Sequence, residues 1–576
     1  MLNRIPDHFA NHQRLRQEIL DFAGSAAATQ PKIAVLTGPP GIGKTALALR
    51  TAHDLPEPEI RLYARLDTDP EAPGAAADIL GQFLVDLGMD PAAVPDRISA
   101  RANAFRARTA GRQVLLIIDG ATTAAQVRAL LPADGLVLVT EARPLSIDAR
   151  NFALPPLDTD AARTLLAGTE PDHVEEIIEL AQGNPLLLRI AAALPAGTPP
   201  GTDLLTTAYR TLSAPAQRCY RTLALPGTTA EISTDALGLP VDELVAARLV
   251  ERLSETRIHT SELVRNHARA IEPPDPDETA RLRERYLTRT ASAYRAANRW
   301  PQAEPWFTCP PGTESVDLAW LDAERGNIRA AIEHAATVGH HELVATWCVL
   351  LWPFYEHGKH TADLLTTHQL GLNTASRALR SLLLTRIGFA HLFNGDTEQA
   401  IAACEQARDL ATDPKLEATA LEGLGLALLA DDQDDRARPV LRRNLDLARQ
   451  LAESRRIALA CLHDAKVERP EIALPLLTEA ARTFAADPVN MAKTHLWRGR
   501  KLTDRGDFAE ARTALDLAIA ELTAQRRPFD RAEALAARGD LNAAAGQPHQ
   551  ARDDYGQARA VFEEWGFSRR AARLPG

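Results

Sequence analysis

The eight residues Gly38 to Thr45, GPPGIGKT, carry the densest chemical signal in the chain. Their spacing, GxxxxGK followed by Ser or Thr, is that of a loop that wraps phosphates. Gly38, Gly41 and Gly43 let backbone N–H groups turn inward, and a helix starting at Lys44 adds its positive N-terminal end. Lys44 is expected to neutralise β and γ oxygens, and Thr45 to offer its hydroxyl to Mg2+. The run Gly38, Pro39, Pro40, Gly41, Ile42, Gly43, Lys44, Thr45 and Ala46 is therefore expected to line bound ATP or ADP. Lysine itself sharpens the reading, because the chain has seven lysines against 58 arginines and only Lys32 and Lys44 precede Lys359.

A second group lies in VLLIIDG, Val114 to Gly120. An apolar strand ending in Asp119 sets a carboxylate at the strand's C-terminal edge, where it holds Mg2+ through a water. Simple turn chemistry is the plainer alternative. Position 120, where fast hydrolases usually place a second carboxylate to orient water, is glycine. Slow turnover is expected, unless Glu141 or a residue of another subunit supplies the base.

These groups need a parallel sheet flanked by helices, and the first third of the chain alternates accordingly. Strands are expected at Ile33 to Thr37, Ile60 to Leu66, Val114 to Ile118 and Leu136 to Thr140. Helices are expected at Lys44 to Asp54, Ala75 to Leu87, Asp96 to Thr109 and Ala124 to Leu131. A helical segment from Asp158 to Leu194 ends at the Pro and Gly cluster of 195–202. Residues 206–270 then read as a small helical domain with a β wing around Ala247 to Ile258. A second proline-rich break, EPPDPDE at 272–278, precedes a helical remainder.

That remainder becomes repetitive. Gly388 pairs with Ala400, Gly425 with Ala437, Cys461 with Ala473, Gly499 with Ala511 and Gly539 with Ala551, always twelve residues apart. Gly395, Gly506 and Gly546 follow the first small residue by seven. A small residue lets two antiparallel helices approach, and the later glycine opens the turn between them. The pattern is similar to the tetratricopeptide repeat, with a generic Ala-rich bundle as the alternative. The expected fold class is multidomain: an α/β P-loop NTPase at 1–157, a helical domain at 158–203, a winged-helix-like domain at 204–271, a helical connector at 272–370 and an all-α tetratricopeptide-type solenoid at 371–576.

Composition bounds the setting. Cys219, Cys309, Cys348, Cys404 and Cys461 show no CxxC or metal-ligand spacing, the usage of a reducing compartment. No stretch approaches 18 uninterrupted apolar residues and the N-terminus lacks a signal-peptide core, so a cytoplasmic protein without a membrane partner is expected. A net charge of −11 opposes non-specific attraction to nucleic acid. The wing region shows no basic face either, with Glu243, Glu251, Glu255 and Glu262 among its arginines, so nucleic acid is not expected as a partner.

Several blocks occur in a telling order: RLYARLDTD, the long run ILGQFLVDLGMD through VLLIIDGA, LVLVTEAR, GNPLLLR, a winged-helix-like stretch, AWLDAERGNIRAAIEHA and the repeats. Together they resemble the NB-ARC branch of the STAND ATPases, particularly the ATPase and repeat portion of actinobacterial antibiotic-regulatory proteins without their DNA-binding domain. The resemblance implies a multidomain switch that ADP holds closed and that ATP, with a trigger, opens for self-association. It implies that Gly183 and Pro185 form the family's GxP motif, with Pro185 near the adenine. It implies Arg143 as the γ-phosphate sensor, although Thr140-Glu141-Ala142-Arg143 stands where the family reads Thr-Ser-Arg. The family's adenine-side Phe-Gly-Arg reads Phe9-Ala10-Asn11-His12. Its ADP-holding histidine stands two places early, at His259 before Leu263-Val264-Arg265, so either His259 reaches the phosphate from a shifted register or the lock is loosened.

The function expected is a signalling switch with slow ATPase activity, whose repeats sense a protein or peptide ligand. About thirty residues precede the first strand and the chain ends within a repeat, so output is expected through self-association with ATP or a separate effector protein. The alternatives are a constitutive scaffold with nucleotide as structural cofactor, or a transcriptional regulator acting on DNA directly or through a partner.

Overall fold

A computed structural model of the chain describes residues 12–25, 30–66, 75–89, 94–95, 98–141, 145–167, 173–225, 229–273, 275–297, 318–358, 360–373, 375–525, 527–564 and 568–575. Arg143 and Phe9, Ala10 and Asn11 lie outside them. The chain groups into two compact units, Met1–Ile79 with Phe105–Val338, and Leu80–Ala104 with Gly339–Gly576.

The first unit opens with helix α1 (Gln13–Gly24), strand β1 (Lys32–Thr37), helix α2 (Lys44–Asp54) and strand β2 (Ile60–Arg65); in chain order α3 (Ala75–Asp86) and α4 (Ile98–Thr109) follow, their Leu80–Ala104 portion belonging to the second unit. Next come β3 (Val114–Asp119), α5 (Ala124–Leu130), β4 (Leu136–Glu141) and β5 (Arg150–Ala153). The five strands form one parallel sheet in the order β2-β3-β4-β1-β5. Every residue of β3 and β4 is buried, as strands covered on both faces require. The four expected strands are present, each within a residue of its expected ends. The fifth, β5, was not anticipated: RNFA buries only Phe152 and is too short and polar to read as a strand. Leu36, Leu47, Ala48, Ile117, Leu138 and Phe152 form the core between sheet and helices, each fully buried large side chain contributing about 1.5–3 kcal/mol.

Three short helices follow, α6 (Thr159–Leu165), α7 (Val174–Ala181) and α8 (Pro185–Ala192), packed around Leu157, Ile177 and Leu188. The wing region contains α9 (Leu204–Thr211), α10 (Ala214–Thr222), β6 (Glu231–Ser233), α11 (Thr234–Leu237), α12 (Asp242–Ala246), β7 (Glu251–Ser254), β8 (Arg257–His259) and α13 (Glu262–Ile271). Its antiparallel sheet, order β6-β8-β7, packs on Tyr220, Leu244 and Val264. Helices α14 (Pro276–Ala297) and α15 (Leu318–Thr337) complete the unit. Fully buried Glu324 of α15 ties them to the wing: it accepts from Ser233 N (3.0 Å), Arg257 Nη1 (2.6 Å) and Tyr286 OH (2.8 Å).

The second unit is helical through α16 (His341–Gly358) and α17 (Thr361–Leu372), then forms hairpins. These pair α18 (Arg377–Asn394) with α19 (Thr397–Leu410), α20 (Pro414–Ala430) with α21 (Asp434–Leu451), and α22 (Ser454–Val467) with α23 (Pro470–Thr483). The last two pair α24 (Pro488–Arg505) with α25 (Phe508–Ala524) and α26 (Pro528–Ala544) with α27 (Pro548–Glu564), before a short α28 (Ser568–Arg573). The small residues act as expected. A Cβ on Gly388, Gly425, Gly499 or Gly539 would come within 2.3–2.5 Å of Cys404, Leu441, Leu515 or Tyr555 on the opposing helix. Gly395, Gly506 and Gly546 take left-handed φ of 81°, 90° and 74° at the turns.

Candidate functional site

Strand β1 runs between β4 and β5, and the glycine-rich loop leaves its C-terminal end to enter α2. Gly38, Gly41 and Gly43 have φ of 150°, 81° and 101°, the region open to glycine and strained for other residues. A Cβ on Gly41 would lie 2.9 Å from Asn184 Oδ1, so the loop has no room for a side chain there. Lys44 donates to Gly38 O (2.7 Å) and Pro39 O (3.0 Å), within the curl of the loop. Burial pulls the Lys44 pKa below its ordinary value, against the charges of Glu262, Asp119 and Glu141.

Asp119 ends β3 and is buried. Because β4 lies between β1 and β3, the carboxylate meets groups from several elements. Thr45 Oγ1 and Thr140 Oγ1 donate to its Oδ1 at 2.7 and 2.5 Å, and Tyr63 OH donates to its Oδ2 at 2.8 Å. Arg65 Nε approaches Oδ2 at 3.7 Å. Gly120 has φ 80°, and a Cβ there would lie 2.9 Å from Leu66 O, so this position offers no second carboxylate. Glu141 is buried at the end of β4, level with Thr37 of β1.

The helical segment reaches the loop through Asn184. Its Oδ1 caps α8 by accepting from Leu186 N (3.0 Å), and its Nδ2 donates to Pro40 O (3.0 Å). This places Pro185, the first residue of α8, beside Gly43, whose Cβ position is 4.0 Å from Pro185 Cγ. Gly183 turns with φ 69°, and a Cβ would clash with Leu157 O at 2.5 Å.

His259 is not the surface residue its place at a strand end suggests. It is half-buried with Nδ1 3.4 Å from Arg65 Nη1. Burial, then the Arg65 charge, push its pKa down to about 3, outweighing the pull of Asp119. Arg65 also reaches Glu231 Oε1 of β6 at 2.5 Å. Burial works against the Arg65 charge, but Tyr63, Asp119 and Glu231 hold its pKa above the ordinary arginine value.

The structure thus brings Gly38 to Ala46, Asp119 and Pro185 together and places His259 one residue away, across Arg65. Tyr63, Arg65, Thr140, Asn184 and Glu231 were not singled out from sequence. Asn184 carried a legible signal, an Asn before a first-turn Pro. Tyr63 and Arg65 share one face of β2, and Arg65 is in register with Asp119, a pairing that depends on strand order. The glycine cradle, Lys44 and the start of α2 fit a polyphosphate, and the Thr45 hydroxyl with the Asp119 carboxylate fits Mg2+, which prefers hard oxygen donors.

Fold and site define a multidomain P-loop NTPase with a helical domain, a winged-helix-like domain and a tetratricopeptide-type array. No family model matches the chain. In sequence it is similar to the regulatory protein AfsR of Streptomyces griseus, 24% identical over an alignment of 669 positions that spans 98% of this chain and 68% of that protein. It is also similar to AfsR of Streptomyces coelicolor, 28% identical over 389 residues, 55% of this chain and 39% of that one. In fold it matches a signal transduction ATPase with numerous domains (STAND) protein with a tetratricopeptide repeat sensor from Pyrococcus horikoshii. The TM-score is 0.71 at 15% identity, over 99% of this chain and 85% of that chain.

Proposed function

We propose that this chain is a nucleotide-gated signalling regulator, with ATP or ADP in the loop Gly38 to Ala46 and Mg2+ held by Thr45 and Asp119. One observation carries the reading. Asp119 touches Thr45 on one side and Arg65 on the other, and Arg65 contacts Glu231 and His259 of the wing region. A change of charge at the phosphates therefore has a short path into the wing. The regulatory names of the AfsR relatives and the fold shared with a STAND protein support it.

Mg2+ held by Thr45 and Asp119 would supply neutralisation of phosphate charge. This chain's residues bind, orient and couple: Lys44 compensates phosphate charge, Pro185 sits where the adenine end would pack, and Gly120 leaves water unoriented, so hydrolysis is slow. Arg143 serves as γ-phosphate sensor. The working division is 1–157 nucleotide-binding, 158–203 helical, 204–271 winged-helix-like, 272–370 connector and 371–576 repeats, the repeats taking a protein or peptide ligand.

The test is the mass distribution of the purified protein, its nucleotide content known, before and after ATP is added. Self-association with ATP is expected; Lys44→Ala should weaken nucleotide binding at least about tenfold, since a charge-assisted phosphate contact is lost, and should thereby abolish the self-association. Arg65→Met should keep nucleotide but lose the change in mass. A protein of constant mass with ADP, ATP and added peptide ligands would sink the switch.

A further inference from the structure

The repeats hold a group of cations that the nucleotide site leaves unused. Three of the seven lysines, Lys466, Lys493 and Lys501, fall on α22 and α24. Lys501 has a structural task, donating to the main-chain oxygens of Lys466 (3.1 Å) and Glu468 (2.8 Å) at the end of α22. The other two sit differently. Lys493, Trp497 and Arg500 follow an i, i+4, i+7 spacing and form one stripe along α24. All three are half-buried. Lys466 faces that stripe from α22, its Nζ 5.6 Å from the centre of the Trp497 ring, with Arg500 Cζ 4.7 Å from the same ring.

Carboxylates of α26 answer only part of this charge. Asp530 lies 3.9 Å from Lys493 and Glu533 2.9 Å from Arg500. Among the described residues no carboxylate lies within ion-pair distance of Lys466. Burial, with Lys493 and Arg500 close by, pushes its pKa down to about 8, while Asp530 and Glu533 pull weakly the other way. Neighbouring His463 is driven well below its ordinary value by burial and by Lys466 and Lys493, and so stays neutral. On α20, burial raises Glu422, against the charges of Arg456, Arg455 and Lys466, so this carboxylate answers part of the Lys466 charge from a distance. A chain of net charge −11 thus keeps an ammonium without a directly paired carboxylate, among the described residues, beside a half-buried indole ring.

An anion between Lys466 and Lys493 would relieve that repulsion. The stripe from Lys493 to Arg500 spans about 10 Å by helix rise, the length of roughly three residues of extended chain. We propose that the face of α22 and α24 around Lys466, Lys493 and Trp497 binds an acidic peptide segment, with a carboxylate between the two ammonium groups and an adjoining apolar or aromatic side chain against Trp497. This rests on reading the repeats as the ligand-binding part of the chain, and it adds the chemistry of the ligand.

Fluorescence anisotropy of a labelled Glu-Phe-Glu-Phe-Glu peptide with the full chain tests it. Saturable binding is expected at low salt. Lys466→Met and Lys493→Met should each weaken it, and replacing Glu by Gln in the peptide should do the same, by about tenfold or more as charge-assisted contacts are lost. Lys415→Met, which removes the same charge from the first turn of α20, should leave it unchanged. Circular dichroism and nucleotide affinity on each variant confirm an intact fold. Lys44→Ala should spare peptide binding, so loss of the nucleotide site and loss of the groove are told apart. Equal binding of the Glu and Gln peptides, or full binding by both lysine variants, overturns the site. Inorganic phosphate binding as tightly as the peptide overturns the peptide assignment.

Discussion

A carboxylate that accepts from Thr45, Thr140 and Tyr63 at once is fixed in direction before any ligand arrives. Preorganisation of this kind lowers the ordering needed on binding. Lys44 and Thr45 were legible in sequence because their chemistry is local, eight consecutive residues between a strand and a helix. Asp119 was legible as a strand-terminal acid. Tyr63, Arg65 and Thr140 were not, because their roles arise from strands lying side by side in an order that no local pattern encodes. Elsewhere one carboxyl is held against its nature. Asp464 of α22 is fully buried and its pKa is pushed up to about 6 by burial, against Arg442 at 3.1 Å. Its folded-state pKa lies above the unfolded value, so the folded chain holds this proton more tightly. The contribution is favourable at acid pH and lost as pH rises from about 4 through 6. Asp464→Asn is therefore expected to raise the melting temperature at pH 7.5, by up to about 3 kcal/mol in stability, and to make little difference at pH 4. Arg442 keeps a partner in Glu468 at 2.7 Å. Thermal melts of both proteins across this range check it; a difference that grows toward acid pH would refute it.

At the scale of elements, the helix hairpins follow from small residues placed twelve apart. The turns were only partly legible. Asp432, seven residues after Gly425, takes φ 58° where three other units use glycine, because aspartate tolerates the left-handed region better than most side chains. Strand β5 escaped detection for the opposite reason: an edge strand needs only one buried residue to hold its place. The closeness of the helices gives a direct test. A Cβ at Gly499 would lie 2.4 Å from Leu515 Cγ and 3.3 Å from Ala511 O. Gly499→Val must push α24 and α25 apart and is expected to cost about 2–3 kcal/mol through overpacking, read by urea unfolding. Gly506→Ala strains only a turn in open space and should cost about 1 kcal/mol. Equal effects would show that the hairpin interface is looser than its geometry implies.

For the molecule as a whole, two compact units predict two melting transitions by scanning calorimetry. Nucleotide at about 100 times its dissociation constant should stabilise the unit that binds it by about 2.7 kcal/mol and leave the repeat transition in place. A single transition that moves as one would contradict this. The division itself was hidden from the sequence: Leu80–Ala104 groups with 339–576 although it lies inside the stretch 1–157 expected to bind nucleotide, and no local pattern announces such long-range membership. Arg65 has the widest consequence. It meets Asp119 through Nε and Glu231 through Nη1, so on the proposed function the free energy of metal binding at Asp119 and that of docking the wing are terms in one cycle. Such a cycle is symmetric. If the proposed switch holds, whatever factor nucleotide imposes on the docking of the wing, a molecule that displaces the wing must impose on nucleotide affinity, and such a molecule would be found by watching ADP leave.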